Sequence, residues 1–134
     1  MRAREVMIAD PVVAAAGATS SEVAALMRVK NISVVPVVDN PKDRKYLGTI
    51  SDRDIVARCL GAGHDPTDCS AADHARTDTP VVKPETELQG YRVAKQLDPN
   101  DHHVRSTIVV LDSDERVIGF IPHPEEIDGV EIML

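Results

Sequence analysis

The segment from Ser51 to Asp54 carries residue types that suit the binding of an anion or a sugar. It follows the apolar run "YLGTI" and precedes a second apolar run, "IVARCL". Where a strand leads into a helix, unpaired backbone N–H groups and the helix dipole favour an anion such as phosphate. The Ser51 hydroxyl would add a donor, and the Asp54 carboxylate can accept two hydrogen bonds from a ribose diol. Arg53 and Arg105 are the candidates for positive charge.

The same segment also fits a purely structural role. Ser-x-x-Asp before an apolar run is the pattern of a capping box, in which a hydroxyl and a carboxylate satisfy the first N–H groups of a helix. In this interpretation Asp52 and Asp54 complement the helix dipole and no ligand is needed. Both interpretations stay open, since a cap in the free protein can become a ligand site.

Histidine, cysteine and acidic residues cluster twice along the chain, which raises the question of a metal site. The clusters are His64, Asp68, Cys69 and His74, and Asp101, His102 and His103. Neither cluster has the tight paired spacing of a structural zinc site. We therefore interpret both as solvated loops and predict no metal ligand.

The two cysteines of the chain are Cys59 and Cys69. Cys59 falls in an apolar helical pattern and is predicted to be a buried thiol. Two cysteines are compatible with a reducing compartment. A disulfide between them is an alternative that the sequence leaves open.

Composition excludes several classes of function. The chain has 134 residues and a formal charge of −7, whereas a nucleic-acid surface or a polybasic membrane contact needs clustered lysine and arginine. No run approaches the roughly 20 apolar residues that cross a bilayer. The nucleophile elbow and the P-loop are both absent. We predict a cytoplasmic protein without enzymatic turnover that contacts neither nucleic acid nor membrane.

The elements that must position Ser51 and Asp54 follow from the hydrophobic pattern. "TSSEVAALMRVK" predicts a helix with a capping box from Thr19 and Glu22 and apolar residues at helical spacing. "NISVVPVVD" and "YLGTI" predict two buried strands. "SDRDIVARCLGAG" predicts a second helix that ends at its glycines.

This order of elements returns in the second half of the chain. "TPVV" echoes "DPVV", "STIVVLD" echoes "SVVPVVD", and "VIGFI" echoes "YLGTI", with Gly119 placed 71 residues after Gly48. "ETELQGYRVAKQL" is predicted to be the corresponding helix. The pattern predicts an α+β fold of two pseudo-symmetric βαββα repeats, residues 1–66 and 67–134. Each repeat is too short to bury its sheet alone, so we expect the two to pack sheet to sheet around one core.

These features resemble a tandem pair of cystathionine-β-synthase (CBS) domains, often called a Bateman module. The resemblance rests on "REVM" before "DPVV", a helix, "NISVVPVVD" and then "LGTISDRDI". The last segment is similar to the family's nucleotide motif, which runs from Gly48 through Ser51 to Asp54. The resemblance covers nearly the whole chain and is greatest to the small stand-alone bacterial pairs.

The resemblance implies that each of two clefts is formed by the motif of one copy and the early strands of the other. For the first cleft it implies the ligand-binding residues Ile50, Ser51, Arg53, Asp54, Ala72, Asp73, His74, Arg105, Ser106 and Thr107. For the second it implies Ile32, Ser33, Val34, Pro122 and Glu125. We expect the second cleft to be weak or empty, because Pro122 replaces the hydroxyl residue and offers no N–H.

The resemblance further implies a regulatory sensor that binds AMP, ADP, ATP or S-adenosylmethionine between the repeats. It implies a homodimer and an unidentified protein target. The C-terminal "GVEIML" is expected to pack on the core or on a second subunit. The alternative is a ligand-free or metal-binding protein-interaction module.

Overall fold

The computed structural model describes residues 1–94 and 107–133. The chain forms two compact units. Unit 1 consists of Met1–Pro11 and Thr79–Leu134, and unit 2 is Val12–Asp78. Each unit therefore takes a short segment from the other predicted repeat. The repeat boundaries 1–66 and 67–134 concern the order along the chain and stay a prediction.

Unit 2 is built on a three-stranded sheet of β2 (Ala14–Ala15), β3 (Val34–Val38) and β4 (Tyr46–Ser51), in that order. The strand β2 runs parallel to β3, and β4 runs antiparallel to it. A π-helical segment continues directly from α3. The elements of unit 2 are β2 (Ala14–Ala15), α2 (Ser20–Lys30), β3 (Val34–Val38), β4 (Tyr46–Ser51), α3 (Asp52–Asp54), the π-segment (Ile55–Leu60) and α4 (Ala71–His74).

The predicted capping box of α2 is confirmed. Glu22 N donates to Thr19 Oγ1 at 3.1 Å, and Thr19 N donates to Glu22 Oε1 at 3.5 Å. The apolar face of the helix lies toward the interior of unit 2, where Val23 and Met27 are buried in an aliphatic cluster that includes Val35. This packing fixes the sheet whose last strand, β4, leads into Ser51.

Unit 1 repeats this topology with one more strand. Its sheet has the order β1, β8, β7, β5, with β5 parallel to β7 and β8 antiparallel to it. A separate parallel pair joins β6 to β9. The elements of unit 1 are α1 (Ala3–Val6), β1 (Ile8–Ala9), β5 (Val81–Val82), β6 (Arg92–Ala94), β7 (Ile108–Leu111), β8 (Val117–Ile121), a 3-10 turn (Pro124–Glu126) and β9 (Glu131–Met133). The α+β fold and its internal repeat are confirmed.

The predicted second-copy helix over "ETELQGYRVAKQL" is wrong in its described part. Gly90 adopts a φ of +80°, which ends any helix there. Arg92–Ala94 then forms a strand paired with Glu131–Met133. Residues 95–97 of the predicted helix lie outside the described residues. The C-terminal segment packs on the core, because Ile132 contacts the buried cluster of unit 1. Packing on the core was one of the two expectations for this segment.

In both units a segment crosses close to a glycine of the last strand. Gly48 in β4 lies under Arg76, and a Cβ on it would stand 2.7 Å from the Arg76 carbonyl oxygen. Gly119 in β8 lies against Met7, whose Sδ would overlap with such a Cβ. Because glycine has no side chain, the crossing segment can pass close to the strand in each repeat.

Within the described residues, no helix combines the length and the apolar character that a membrane span needs.

Candidate functional site

The segment from Ser51 to Asp54 forms a complete capping box. Ser51 N and Ser51 Oγ both contact Asp54 Oδ2, at 2.9 Å and 3.0 Å, and Asp54 N donates to Ser51 Oγ at 3.2 Å. Asp52 N donates to the carbonyl oxygen of Ser33 at 2.9 Å, which ties the start of α3 to the entry of β3. The structural interpretation of this segment is thus realised in the geometry. One carboxylate oxygen of Asp54, Oδ1, takes no part in the cap.

That second oxygen faces two arginines. Asp54 Oδ1 lies 3.7 Å from Nη1 of Arg58 and 3.7 Å from Nη1 of Arg76. The Asp54 side chain is only 2% exposed, whereas Arg58 and Arg76 are 47% and 32% exposed. A buried carboxylate thus holds two guanidinium groups whose outer parts reach solvent. Sequence reasoning missed both arginines; only the i, i+4 spacing of Asp54 and Arg58 was a local signal for one of them.

Arg76 is brought to this place by backbone pairing. Its N and O exchange hydrogen bonds with the O and N of Thr49, both at 2.8 Å, so the chain after α4 runs antiparallel beside β4. Arg58 is held differently, because its Nη1 donates to the carbonyl oxygen of His74 at 3.2 Å. Both arginines are therefore positioned by contacts of α4 or of the segment directly after it.

A wide-open surface cavity of about 410 Å³ lies beside the two arginines. Its lining residues all belong to unit 2 and are Arg58, Ala75, Arg76, Thr77 and Asp78. Ligand pockets for small molecules begin at roughly 300 Å³. The cavity therefore has the volume of a small-molecule site. Its wall carries the guanidinium groups of Arg58 and Arg76 and the carboxylate of Asp78, which accepts from Nη2 of Arg76 at 3.4 Å.

The predicted residues of the second copy's opening segment do lie in the same unit as Asp54. Asp73 caps α4 by accepting from Ser70 N at 3.0 Å, and this bond lowers the pKa of the Asp73 carboxyl. Ala72 is exposed and His74 is buried. The side chain of Ile50 is fully buried in the core cluster of unit 2.

The other predicted ligand-binding residues are dispersed or undescribed. Arg105 and Ser106 lie outside the described residues, and Thr107 is buried in unit 1 ahead of β7. Arg53 is partly exposed within α3. The part each residue takes in ligand binding stays a prediction.

The residues predicted for the weaker second cleft fall in both units. Ile32, Ser33 and Val34 lie at the entry of β3 in unit 2. Pro122 and Glu125 lie in unit 1, where Oε1 of Glu125 is 3.7 Å from Nδ1 of His123. Pro122 follows directly on β8, so the repeat places it where Ser51 ends β4.

A second group of chemically capable side chains lies behind Arg58. The ligand-type atoms of Cys59, Cys69 and His74 all lie within 4.8 Å of one another. Their exposed fractions are 0%, 8% and 7%. The prediction of solvated loops is therefore wrong for Cys69 and His74, although it holds for the exposed His64 and Asp68.

The two cysteines are free thiols, and the prediction that Cys59 is buried is confirmed. Burial and the adjacent Cys59 thiol raise the pKa of Cys69 to about 11. Cys69 is consequently neutral near pH 7 in the absence of a cation.

Comparisons with known proteins agree with this architecture. The CBS domain family model matches residues 3–61. A curated relative, Hypoxic response protein 1 of Mycobacterium tuberculosis (strain CDC 1551 / Oshkosh), is 29% identical over 119 residues, which are 89% of this chain and 78% of the relative. The chain thus resembles CBS-domain proteins, and its residues 3–61 match the model of that family.

Solved structures of CBS-pair proteins share its fold. Hypoxic Response Protein I, solved with two coordinated zinc ions, superposes with a TM-score of 0.70 and 26% identity, covering 91% of this chain and 92% of that one. A CBS domain protein from Pyrobaculum aerophilum complexed with AMP gives a TM-score of 0.68 and 21% identity, covering 91% and 87%. The second likeness concerns the fold alone.

Proposed function

We propose that this CBS-pair protein is a regulatory module that binds an adenine nucleotide without consuming it. The observation that carries the proposal is the pair of guanidinium groups, Arg58 and Arg76, that the buried Asp54 holds beside a cavity of about 410 Å³. The related fold from Pyrobaculum aerophilum was solved with AMP, which supports the choice of an adenine nucleotide.

The chemistry of the site suits a phosphorylated nucleoside. Two guanidinium groups can hold a phosphate by charge-assisted, paired hydrogen bonds. Asp54 Oδ1 lies 3.7 Å from both arginines, which is longer than a hydrogen bond, so a ligand's hydroxyl that reached this oxygen could compete with them. A ribose diol is the ligand group that accords with a carboxylate set between two cations.

Absence of turnover accords with the same geometry. In unit 2 the Ser51 hydroxyl donates to Asp54 Oδ2 at 3.0 Å and accepts from Asp54 N at 3.2 Å, so both its donor and its acceptor function serve the cap. A nucleophile needs a base within hydrogen-bond reach before it can be activated. This arrangement supports a capping role for Ser51 and not the role of a nucleophile.

A sensor needs a surface through which binding is reported, and we propose a homodimer contact on the outer face of the helices of unit 2. Val56 and Leu60 stand four residues apart in the π-segment and are 60% and 50% exposed. Val29, on the contacting helix α2, is 77% exposed. Exposed apolar side chains on two contacting helices supply the apolar area that an association surface needs.

Isothermal titration calorimetry with AMP, ADP, ATP and S-adenosylmethionine tests the proposal. We expect one of these ligands to bind and to be recovered chemically unchanged after prolonged incubation. Ligand at 100 times its dissociation constant should raise the free energy of unfolding by about 2.7 kcal/mol. Guanosine monophosphate is the control for base preference. Failure of all four ligands to bind, or their hydrolysis by the pure protein, would contradict the proposal.

A further inference from the structure

Cys59, Cys69 and His74 reach one place from three separately anchored positions in unit 2. Cys59 belongs to the π-segment, where Gly61 N donates to Val56 O at 2.7 Å in the wider turn of a π-helix. The carbonyl oxygen of Cys69 accepts from Ser20 N at 2.8 Å. His74 is the last residue of α4. The convergence is thus fixed by backbone contacts that do not involve the three side chains.

The imidazole of His74 is incompletely satisfied in this setting. Across residues 1–94 and 107–133, its Nε2 is one of two buried side-chain polar atoms without a hydrogen-bond partner. Leaving a buried polar atom unpaired destabilises the folded state, so such an atom needs an explanation. Packing alone does not supply one, because an apolar side chain of the same size would avoid that cost.

We propose that Cys59, Cys69 and His74 form a binding site for a soft divalent cation of the zinc class, with His64 as the fourth ligand. Two thiolates and an imidazole are the ligand types that zinc takes in structural sites. On binding, the two thiols release their protons to solvent, and His74 coordinates as the neutral imidazole. The net charge of the cation and its two thiolates is zero, which suits a buried position.

The spacing agrees with this assignment. Ligand atoms at 2.0–2.3 Å from a tetrahedral zinc ion stand roughly 3.3–3.8 Å apart. The three ligand-type atoms, all within 4.8 Å of one another, therefore need to close by only about 1 Å. Side-chain rotation can supply this without moving the backbone.

His64 is placed to complete the coordination. Its ring centroid lies 5.9 Å from that of His74, and its backbone N donates to the carbonyl oxygen of Cys59 at 2.9 Å. Unlike the other three side chains, His64 is exposed, so it can turn toward the cluster at little cost.

The test uses the full chain without a histidine tag, freed of metal by a chelator and kept reduced. Zinc affinity is measured by competition with a chromogenic chelator, and stoichiometry by elemental analysis. We expect one zinc ion per chain and no binding of magnesium under the same conditions. Cobalt in place of zinc should give a thiolate-to-cobalt charge-transfer band and tetrahedral ligand-field bands.

Three variants test the ligands, and a fourth is the control. Cys59→Ser and Cys69→Ser should each lower zinc affinity at least about a hundredfold, and His64→Ala about tenfold. His123→Ala, at an exposed histidine of unit 1, is the matched control and should bind as the wild type does. Circular dichroism verifies that each variant is folded. If a buried cysteine variant does not fold, the wild-type cobalt spectrum and His64→Ala still decide the question.

Three results would overturn the assignment. One is the absence of stoichiometric zinc in the reduced wild type. Another is a cobalt spectrum without the charge-transfer band, which would remove the cysteines from the site. The third is equal weakening by His64→Ala and His123→Ala, which would mean adventitious surface binding.

Discussion

Arg58 donates a hydrogen bond from Nη1 to the carbonyl oxygen of His74 at 3.2 Å. The same nitrogen lies 3.7 Å from Asp54 Oδ1. Arg58 also directly precedes Cys59 in the π-segment. A single side chain thus connects the proposed nucleotide site with the proposed cation site, so whatever fixes His74 also fixes one of the two guanidinium groups.

We predict that zinc raises the affinity for AMP about threefold to tenfold, a coupling free energy near 1 kcal/mol. The expectation rests on both proposals: a cation bound to His74 and Cys59 would hold Arg58 in place before the nucleotide arrives. Calorimetric titration of AMP into zinc-loaded and chelator-treated protein measures the effect.

Arg58→Met should remove the coupling and lower AMP affinity, whereas Arg28→Met, on the exposed side of α2, should change neither quantity. The Arg58 variant also controls for direct complexes between zinc and AMP, which it leaves unaltered. Equal AMP affinities with and without zinc in the wild type would show that the two sites are independent.

Gly48→Ala should destabilise the protein by about 1–3 kcal/mol. The new Cβ would stand 2.7 Å from the carbonyl oxygen of Arg76, which is backbone and already paired with Thr49. Gly17→Ala is the matched control, because no atom lies within 4 Å of its Cβ position and its φ is not positive. Chemical denaturation should therefore show a loss for Gly48→Ala and little change for Gly17→Ala. Equal midpoints for the two variants would refute the close approach.

Local patterns predicted the framework of the site but not its charges. The capping boxes at Thr19 and Ser51 and the strands that flank them depend on neighbours within a few residues, so the sequence revealed them. Arg76 reaches Asp54 by pairing with Thr49, across 27 positions of the chain, and no periodicity predicts that contact.

The two largest misinterpretations have the same physical origin. Apolar spacing indicated a helix around Gly90, but pairing with the C-terminal strand outweighed helix propensity there. Cys69 was assigned to a solvated loop, whereas the burial of Cys59 was predicted correctly. The fold buries both beside His74, and spacing along the chain could not show this.

We predict that Asp112→Asn reduces stability near pH 7 by about 1 kcal/mol and has progressively less effect in acid. Asp112 Oδ1 accepts from Arg116 N and Asp114 N, both at 2.9 Å. The bond from Arg116 N is the largest cause of the lowered pKa of this carboxyl, whose ordinary value is 3.8. A carboxyl with a pKa lowered by folding stabilises the protein above its unfolded pKa, and this is lost as the pH falls through its folded pKa.

Urea denaturation at several pH values between neutral and acid measures this difference. Asp128→Asn, at an exposed position in the same unit, controls for the loss of one negative charge. A destabilisation by Asp112→Asn that grows on acidification would contradict the assignment.

Leu60→Lys should weaken the proposed homodimer. Leu60 is 50% exposed beside Val56, and a lysine there would place a charge in the centre of the proposed contact. The molecular mass measured by light scattering at micromolar concentration should fall toward the monomer mass of 14.5 kDa. Val81→Lys in unit 1, at a valine 44% exposed, is the control. A wild-type protein that is monomeric at every concentration would remove the dimer from the mechanism.

Asp54→Asn should lower the affinity for the adenine nucleotide about tenfold to a hundredfold, since one or two charge-assisted hydrogen bonds are each worth about 1.5–3 kcal/mol. The amide keeps an oxygen for the capping box with Ser51 but loses the charge that holds Arg58 and Arg76.

Glu125→Gln is the counterpart in unit 1, where Pro122 stands in place of the hydroxyl residue, and should change affinity less than twofold. Calorimetry reports affinity, and thermal unfolding of the ligand-free variants reports the cap. A lower melting temperature for Asp54→Asn with unchanged affinity would leave the segment as a helix cap alone. A larger loss of affinity from Glu125→Gln would place the working site in the other repeat.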